Sequence, residues 1–168
     1  SGTYACSLGG TDAADFSASI SGKVCTVVWA SAPDYDSPAD AGTNNVYDIT
    51  VSFTDGTNTL GAQTTAITVT DLNDQTPAAT VAATYSVAEN TATVGTMSIT
   101  DTDTSGTQAC SVAGADNALF TCTVSSGTAT LAFASAPNYD SPSDAGANNV
   151  YDITVSFTDG TNTLGAQT

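Results

Sequence analysis

Acidic side chains dominate the chemistry that this sequence can offer. Sixteen aspartates and one glutamate stand against one basic residue, Lys23, and no histidine, which gives a formal net charge of −16. Acidic residues recur at short spacing in the segments 33–36, 71–77 and 101–103. Short carboxylates at this spacing can share a hard divalent cation; the alternative is an acidic surface that solvent alone compensates. The preference for aspartate over glutamate favours the cation, because aspartate suits turns and metal-binding loops.

The same composition argues against catalysis and against nucleic acid. An enzyme needs a nucleophile with a base, or a metal with an open position, and this chain offers almost only carboxylates as bases. Paired aspartates can hydrolyse glycosides, but here the acidic segments recur with an internal repeat and gather at its junctions. We therefore predict that the chain is not an enzyme. Nucleic acid is excluded as a partner, because phosphate binding requires a patch of lysine and arginine.

Four cysteines provide the second chemical signal. They form no CxxC pair and no histidine accompanies them, so disulfides fit the sequence better than a zinc site does. Disulfides imply an oxidising compartment, and we predict an extracellular location, either at a cell surface or secreted. No stretch approaches the roughly 18 apolar residues that a membrane span requires.

An internal repeat sets the frame in which these residues must be placed. Residues 44–64 recur unchanged at 148–168, an offset of 148 − 44 = 104 residues. Self-similarity at a fixed period indicates tandem domains. The first copy lacks an opening segment and the second lacks a closing one, so we expect both ends to be cut and the array to continue. We predict one truncated repeat with its linker at 1–74 and a second truncated repeat at 75–168.

Hydrophobic residues alternate along most of the chain, as they do in half-buried strands. Tyr47, Ile49, Val51 and Phe53 fall on one face of a single predicted strand. The same alternation occurs in ATYSVAEN at 83–90, TVGTMSIT, ALFTCTVS, TATLAFAS and TAITVTD. Glycine, proline, asparagine and aspartate separate these segments, and no helical period persists. About seven short strands in roughly 100 residues indicate an all-β sandwich.

The repeat also constrains how the cysteines pair. Cys6 and Cys110 correspond under the offset of 104, but their companions do not, because Cys122 falls on Ala18 and not on Cys25. Alternation places positions 18 and 25 on the inward faces of consecutive strands, where a cysteine on the facing strand could reach either. We predict the disulfides Cys6–Cys25 and Cys110–Cys122; four buried free thiols are the alternative.

The acidic motifs and their order resemble those of cadherin repeats, specifically the cadherin-like tandem domains of large microbial extracellular surface and adhesin proteins. The motifs are PDYD at 33–36, FTDG at 53–56 and 157–160, DLNDQTP at 71–77, VAEN at 87–90 and DTD at 101–103. The resemblance implies tandem Greek-key β-sandwiches of about seven strands each, joined by short calcium-binding linkers. It also implies calcium as the bound ion, which rigidifies the array between successive domains.

The resemblance further implies a set of calcium ligands, carried over position by position. At the junction within this chain they are Asp34, Asp36, Asp71, Asn73, Asp74, Gln75 through its backbone carbonyl, Asp101, Asp103 and Asp159. Asp55 is expected to serve the preceding junction, and Glu89, Asn138 and Asp140 the following one. A plain polar turn is the alternative for the linker, since its residues also favour turns.

Two departures from the family pattern concern the same loop in the two copies. Asp36 stands where the family has glutamate, and Asn138 stands where it has aspartate. A shorter or neutral ligand is expected to lower affinity or to admit water. Asp40 and Asp144, further along these loops, are interpreted as loop aspartates, and a further metal role is the alternative.

The favoured function is that of a structural repeat in an extracellular calcium-dependent adhesin, stalk or filament. Near-identical repeats carry no positional information, which suits a spacer better than a unique site. One alternative is a calcium-dependent carbohydrate- or protein-binding module, although Tyr35, Tyr47, Tyr139 and Tyr151 are predicted mainly as core or corner residues. A second alternative is a subunit of a laterally assembled filament or surface layer. The expected partners are neighbouring copies of the repeat and a glycan or protein of a cell surface or matrix.

Overall fold

The chain divides into two units within the segment that links its two repeats. The structure, a computed structural model, describes residues 2–167. Its two units are Ser1–Asp71 and Leu72–Thr168. The boundary therefore falls after residue 71, three residues before the boundary predicted from the sequence, which was after residue 74. No helix among residues 2–167 is long and apolar enough to cross a membrane.

The first unit contains two antiparallel sheets. Its strands are β1 (Ala5–Gly9), β2 (Phe16–Ser21), β3 (Val24–Trp29), β4 (Val46–Thr54) and β5 (Thr59–Thr68). One sheet has the order β1-β4-β5 and the other consists of β2 and β3. A single turn of 3-10 helix, Ala13–Asp15, precedes β2.

The second unit has seven strands among its described residues. They are β6 (Ala78–Thr80), β7 (Thr93–Thr100), β8 (Ala109–Ala113), β9 (Phe120–Ser125), β10 (Thr128–Phe133), β11 (Thr154–Thr158) and β12 (Thr163–Gln167). One sheet has the order β6-β7-β10-β9 and the other β12-β11-β8. The predicted all-β sandwich is therefore confirmed.

One predicted strand is wrong. Residues 83–90, ATYSVAEN, alternate well but form no strand. Alternation reports which face of a segment is buried, whereas a strand also requires a neighbour for its backbone hydrogen bonds.

Alternation does place the cores. In the second unit, Met97, Ala129, Leu131, Val155 and Phe157 are at most 3% exposed, and they come from both sheets. In the first unit the buried cluster is smaller and aromatic. It comprises Phe16, Tyr47 and Ile49, with the half-buried Trp29 packed against it.

Both predicted disulfides are present, and each joins the two sheets of its unit. Cys6–Cys25 links β1 to β3, and Cys110–Cys122 links β8 to β9. Cys25 lies opposite Ile20, so it is the diagonal neighbour of Ala18 and not its direct partner. Closing loops of this size stabilises a domain by about 3 kcal/mol on the chain-entropy model.

The tight turn between β2 and β3 carries the only lysine. Lys23 is exposed, and its Nζ lies 5.5 Å from the centre of the Tyr4 ring. Gly22, with φ of +62°, gives this turn the left-handed conformation that two-residue hairpins require.

Four buried aspartates hold the long loops between β3 and β4 and between β10 and β11. In the first unit, Asp12 accepts the N–H groups of Ala41 (2.7 Å) and Asp48 (2.6 Å), and Asp40 accepts those of Asn44 (3.0 Å) and Asn45 (2.9 Å). The same bonds recur in the second unit around Asp116 and Asp144.

Two of these loop aspartates, Asp12 and Asp144, have a pKa below the ordinary value. The N–H groups of Ala41 and Asp48 lower the pKa of Asp12 below its ordinary value of 3.8. For Asp144 the N–H of Asn148 is the main cause of a lowered pKa, against the opposing effect of burial. Hydrogen bonds to the charged form produce such shifts.

Candidate metal centre

Three segments of the second unit bring carboxylate and amide side chains together. They are the approach to β6, the loop that follows β7 and the turn between β11 and β12. Asp101, Asp103 and Asp159 each offer a carboxylate oxygen, and these oxygens all lie within 4.8 Å of one another. Asp103 and Asp159 are buried, so solvent does little to screen the charges that they carry.

Asp159 is held rigidly by its own turn. Its Oδ1 accepts the N–H groups of Thr161 (2.7 Å) and Asn162 (2.6 Å), and its carbonyl accepts that of Thr107 (2.6 Å). Burial opposes ionisation of this carboxyl, but the hydrogen bonds, led by that of Asn162, outweigh it and hold its pKa below the ordinary value. Asp159 is therefore an anion whose second oxygen faces the cluster.

Asp103 carries an oxygen that the protein does not satisfy. Its Oδ2 accepts the N–H of Gln75 at 2.9 Å. Its Oδ1 is buried and has no hydrogen-bond partner among residues 2–167. An unmet buried acceptor on a charged group costs about 1–3 kcal/mol or more, which a bound cation would remove.

The Asn73 amide is the fourth group of the cluster. One of its terminal atoms lies 2.8 Å from Asp159 Oδ2 and 2.9 Å from Asp103 Oδ2. A nitrogen in that position donates to both carboxylates. An oxygen there instead accepts a hydrogen bond from Asn162 Nδ2 at 3.1 Å. It then adds an amide oxygen to the carboxylate oxygens of the cluster. The amide can thus bridge the acids or join them as a ligand.

Gly106 allows this close approach. Its φ is +104°, and a Cβ built on it would lie 2.5 Å from Asn73 Nδ2 and 2.7 Å from the carbonyl oxygen of Asp159. Any larger residue would have to displace the amide or the turn.

The chemistry of these donors fits calcium. Asp101, Asp103, Asp159 and Asn73 offer only oxygen, with no sulfur or imidazole to favour zinc. Calcium takes six to eight oxygens, commonly carboxylates, amides and backbone carbonyls. The unsatisfied oxygen of Asp103 is the observation that this fit rests on.

Two of the predicted calcium ligands, Asp74 and Gln75, are neighbours in the linker but differ in whether they contact the carboxylate cluster. The Asp74 carboxylate is exposed and accepts from the side chain of its neighbour Gln75 at 2.9 Å, so it is not part of the carboxylate cluster. Gln75 does reach the cluster, through its backbone N–H to Asp103.

The first unit holds its own predicted ligands. Asp34 Oδ1 accepts the N–H of Asp36 at 3.0 Å, and carboxylate oxygens of Asp36 and Asp71 lie within 4.8 Å of each other. Asp55 accepts the N–H groups of Asn58 and Thr57, which lower its pKa. Among the described residues, no group of three acidic side chains includes Asp55.

A further set lies around the start of β7. Glu89 Oε2 accepts the N–H of Tyr139 at 3.1 Å, and Asn138 Oδ1 accepts the N–H of Asp140 at 3.0 Å. The structure thus brings Glu89, Asn138 and Asp140 together, all of them exposed. Tyr139 is 67% exposed, so it is not a core residue, which was one of its two predicted roles.

Two residues at this site, Asn162 and Gly106, were not predicted from the sequence. The signal for Asn162 was present, because TDGTN occurs at both 54–58 and 158–162. Its contact with Asn73 spans 89 positions, however, and no local pattern reveals such a pair.

Comparison with known proteins identifies the fold. No family model and no curated protein matches the chain. It is similar to protocadherin gamma B7 in an EC3-6 cis-dimer structure, at 19% identity and a TM-score of 0.66, covering 99% of this chain and 39% of that one. Extracellular cadherin domains 1-4 of protocadherin gamma B7 match at 21% and 0.64, covering 98% and 39%.

A third similar structure is the extracellular domain of protocadherin gamma B4, at 18% identity and a TM-score of 0.61, covering 98% of this chain and 24% of that one. The chain therefore has a cadherin-like fold, as its acidic motifs predicted. It spans 39% or less of the length of these neighbours. A microbial source stays a prediction.

Proposed function

We propose that the chain is a structural repeat of an extracellular, calcium-dependent adhesin, stalk or filament, in which bound calcium stiffens the array. The observation that carries this proposal is the oxygen cluster of Asp101, Asp103, Asp159 and Asn73, with its one buried unsatisfied oxygen. A purely solvated acidic surface would leave its carboxylates exposed, and two of these three are buried.

Calcium would replace repulsion with attraction at this cluster. Like charges about 4 Å apart repel by roughly 4 kcal/mol at the effective dielectric of a protein surface. The cluster holds three carboxylates within 4.8 Å, and Lys23, the only side-chain cation, lies in the other unit. A divalent cation would offset this cost, and Gln75 could add its carbonyl as the family pattern implies.

The position of the acidic groups supports an ion near each end of the second unit. Glu89 precedes β7 and Asp101 follows it, so they lie on either side of the eight residues of Thr93–Thr100. A strand of that length spans about 26 Å. Repeats that bind ions at both ends are suited to form a stiff rod.

The similar structures support an extracellular setting and association between copies. They are extracellular cadherin domains, and one is a cis-dimer structure. We propose that this chain is extracellular and that its partners are other copies of the repeat. Binding of a surface glycan or protein belongs to the same proposal.

A calcium titration of two matched variants tests the proposal. Asp159→Asn and Asp55→Asn change the same residue of the same TDGTN turn, but only Asp159 belongs to the three-carboxylate cluster of its unit. We expect Asp159→Asn to weaken calcium binding by about tenfold or more, and Asp55→Asn to leave that site intact. Isothermal titration calorimetry measures the affinity.

Thermal unfolding supplies the second readout. Ligand at a hundredfold excess over its Kd stabilises the native state by about 2.7 kcal/mol, so the wild type should melt at a higher temperature in calcium than in chelator. Asp159→Asn should lose much of that difference, and in chelator it should melt no lower than the wild type, because it removes one of the repelling charges. Equal melting of the wild type in calcium and in chelator would contradict the proposal, as would equal losses in both variants.

A further inference from the structure

The side-chain amide of Asn73 faces acceptors and a donor at the same time. One of its terminal atoms lies 2.8 Å from Asp159 Oδ2 and 2.9 Å from Asp103 Oδ2, which are acceptors. The same atom lies 3.1 Å from Asn162 Nδ2, which is a donor. An amide nitrogen at this position satisfies the two carboxylates but opposes Asn162, and an amide oxygen does the reverse. Neither orientation of the amide therefore satisfies all three neighbours.

In the absence of a cation, the two carboxylates decide the orientation of the amide. Hydrogen bonds to a charged acceptor are roughly twice as strong as neutral ones, and the amide nitrogen makes two of them. The amide oxygen would make one neutral bond with Asn162 and would lie against two carboxylate oxygens with no proton between them. We therefore expect the nitrogen to face Asp103 and Asp159 when no cation is bound.

The amide in this orientation supplies part of what a cation would supply. Its nitrogen donates to one oxygen of each buried aspartate, and the N–H of Gln75 also donates to Asp103 Oδ2, at 2.9 Å. Asp103 Oδ1 still has no hydrogen-bond partner among residues 2–167. The cluster therefore keeps one buried acceptor open for a cation.

Asn162 favours the opposite orientation, and its own turn holds it in place. Its backbone N–H donates to Asp159 Oδ1 at 2.6 Å, and its Nδ2 lies 3.2 Å from Asp159 Oδ2 and 3.4 Å from the backbone carbonyl of Asn73. With the amide oxygen toward the cluster, the Asn73 nitrogen also lies 3.5 Å from the carbonyl oxygen of Asp159. Asn162 Nδ2 is thus positioned to donate to the amide oxygen of Asn73 once that oxygen faces the carboxylates.

The two orientations of the amide require the same space. Because the oxygen and the nitrogen of an amide are nearly equal in size, they exchange places by rotation about one bond. The Asn73 side chain is half-buried, and Gly106 lies beside it on the side away from the carboxylates. A Cβ at position 106 would lie 2.5 Å from Asn73 Nδ2, so the absence of this atom leaves room for the rotation.

We propose that the Asn73 amide is a two-position switch and that Asn162 is its positioning residue. Without a cation, the nitrogen of Asn73 donates to Asp103 and Asp159. With calcium bound, the amide is turned over, its oxygen faces the ion, and Asn162 donates to that oxygen. The inference rests on the proposed calcium site, and it adds the residue that holds one ligand in its binding orientation.

Calcium affinity tests the role of Asn162. Asn162→Ala should weaken binding at the site that Asp159→Asn disrupts by about three- to tenfold, the effect of losing one neutral hydrogen bond. Isothermal titration calorimetry on the intact 168-residue chain measures this affinity. Circular dichroism in chelator shows whether the variant is folded.

Asn58→Ala is the matched control. The sequence TDGTN is the same at 54–58 and 158–162, and Asn58 Nδ2 lies 3.3 Å from Asp55 Oδ2, within its own turn. The substitution therefore removes the same bond from the same kind of turn, whereas the contact with Asn73 belongs to Asn162. Asn58→Ala should leave calcium binding at the cluster unchanged.

Proton NMR shows the orientation of the amide directly. With the amide oxygen toward the carboxylates, the nitrogen lies next to Gly106, so its protons are close to a Gly106 Hα. We expect a nuclear Overhauser effect between these protons in calcium and none in chelator. Asn73→Asp, which has no amide, identifies the signal. In chelator, Asn162→Ala should give the wild-type amide signal, because the amide does not bond to Asn162 in that orientation.

Three results would overturn the inference and leave the proposed function standing. They are calcium binding that does not change this Overhauser effect, the same effect already present in chelator, and equal losses of calcium affinity in Asn162→Ala and Asn58→Ala. A chain that binds no calcium at the cluster would overturn the proposed function and the inference together.

Discussion

One stretch of 21 residues occurs twice in this chain and folds differently in its two places. At 44–64 it forms the whole nine-residue strand β4 and the first six residues of β5. At 148–168 its first strand, β11, has only five residues, Thr154–Thr158. The local sequence is the same, so the difference comes from the partner strand that continues through Thr65–Thr68 in the first unit. Strand propensity is realised only where the ladder is completed.

The two units differ in the opposite sense on their other sheet. The second unit pairs β10 with β7 and β9, whereas among the described residues of the first unit β3 pairs with β2 alone. The consequence appears in the cores. Leu131 in β10 is 1% exposed, and its counterpart under the offset of 104, Val27 in β3, is only half-buried. Each unit is thus well packed on the side where its strands are complete.

The largest effect that we predict tests this difference in packing. Leu131→Ala should lower the free energy of unfolding of the second unit by about 2–5 kcal/mol, because it leaves a cavity in a closed core. Val27→Ala removes fewer methyl groups from a half-open site and should cost about 1 kcal/mol. Urea denaturation monitored by circular dichroism measures both. Equal losses would mean that the two cores are equally closed.

Removing the disulfides should come next in size. Cys110→Ser with Cys122→Ser, and separately Cys6→Ser with Cys25→Ser, should each cost about 3 kcal/mol. Without its disulfide, the first unit should unfold at a lower urea concentration than the second unit does without its own, because the buried cluster of the first unit is smaller. Trp29, the only tryptophan, packs against Phe16 and Tyr47 and reports on that unit alone. A first unit that unfolds after the second would break the comparison.

Replacing a loop aspartate should affect the two units alike. Asp12→Ala and Asp116→Ala each remove the acceptor of two backbone N–H groups, whose hydrogen bonds are 2.6–2.7 Å long in both units. We expect about 1–3 kcal/mol in each case, because partly buried donors lose their acceptor. Thermal melts of the two variants should therefore shift by similar amounts. A difference of several degrees would show that the loops depend on the sheets around them.

Acid should produce the smallest and most gradual effect. The pKa of Asp12 is lowered in the folded state, so its contribution to stability is complete above its ordinary value of 3.8 and is lost as pH falls through the folded value. Trp29 fluorescence in chelator should show the first unit destabilised below about pH 4. Asp12→Asn should flatten this dependence. Unchanged acid sensitivity in Asp12→Asn would assign the effect to other carboxyls.

Much of this architecture could be predicted because repetition and alternation can be recognised in the sequence without knowing which residues are in contact. The period of 104 residues and the alternation in β4, β7 and β10 predict an all-β sandwich in each unit. The cysteine pairing also followed, since two cysteines on inward faces of facing strands have few choices. The predicted strand at 83–90 failed because alternation cannot show whether a pairing partner exists.

The site could be predicted only in part. Asp101, Asp103 and Asp159 were found from short motifs, and the structure brings them together. The role of Asp12 was missed because its partners lie 29 and 36 positions away, beyond any local pattern. Calcium itself, and the ligand roles of the residues at the ends of each unit, stay predictions.

The turn that carries Lys23 has a consequence for proteolysis. With one lysine and no arginine, the chain offers trypsin a single cleavage site, and that site lies in the exposed hairpin turn between β2 and β3. Cys6 and Cys25 lie on opposite sides of it and are joined. A trypsin cut would therefore release no fragment until the disulfide is reduced. A protein exposed to extracellular proteases could be nicked there and remain covalently whole.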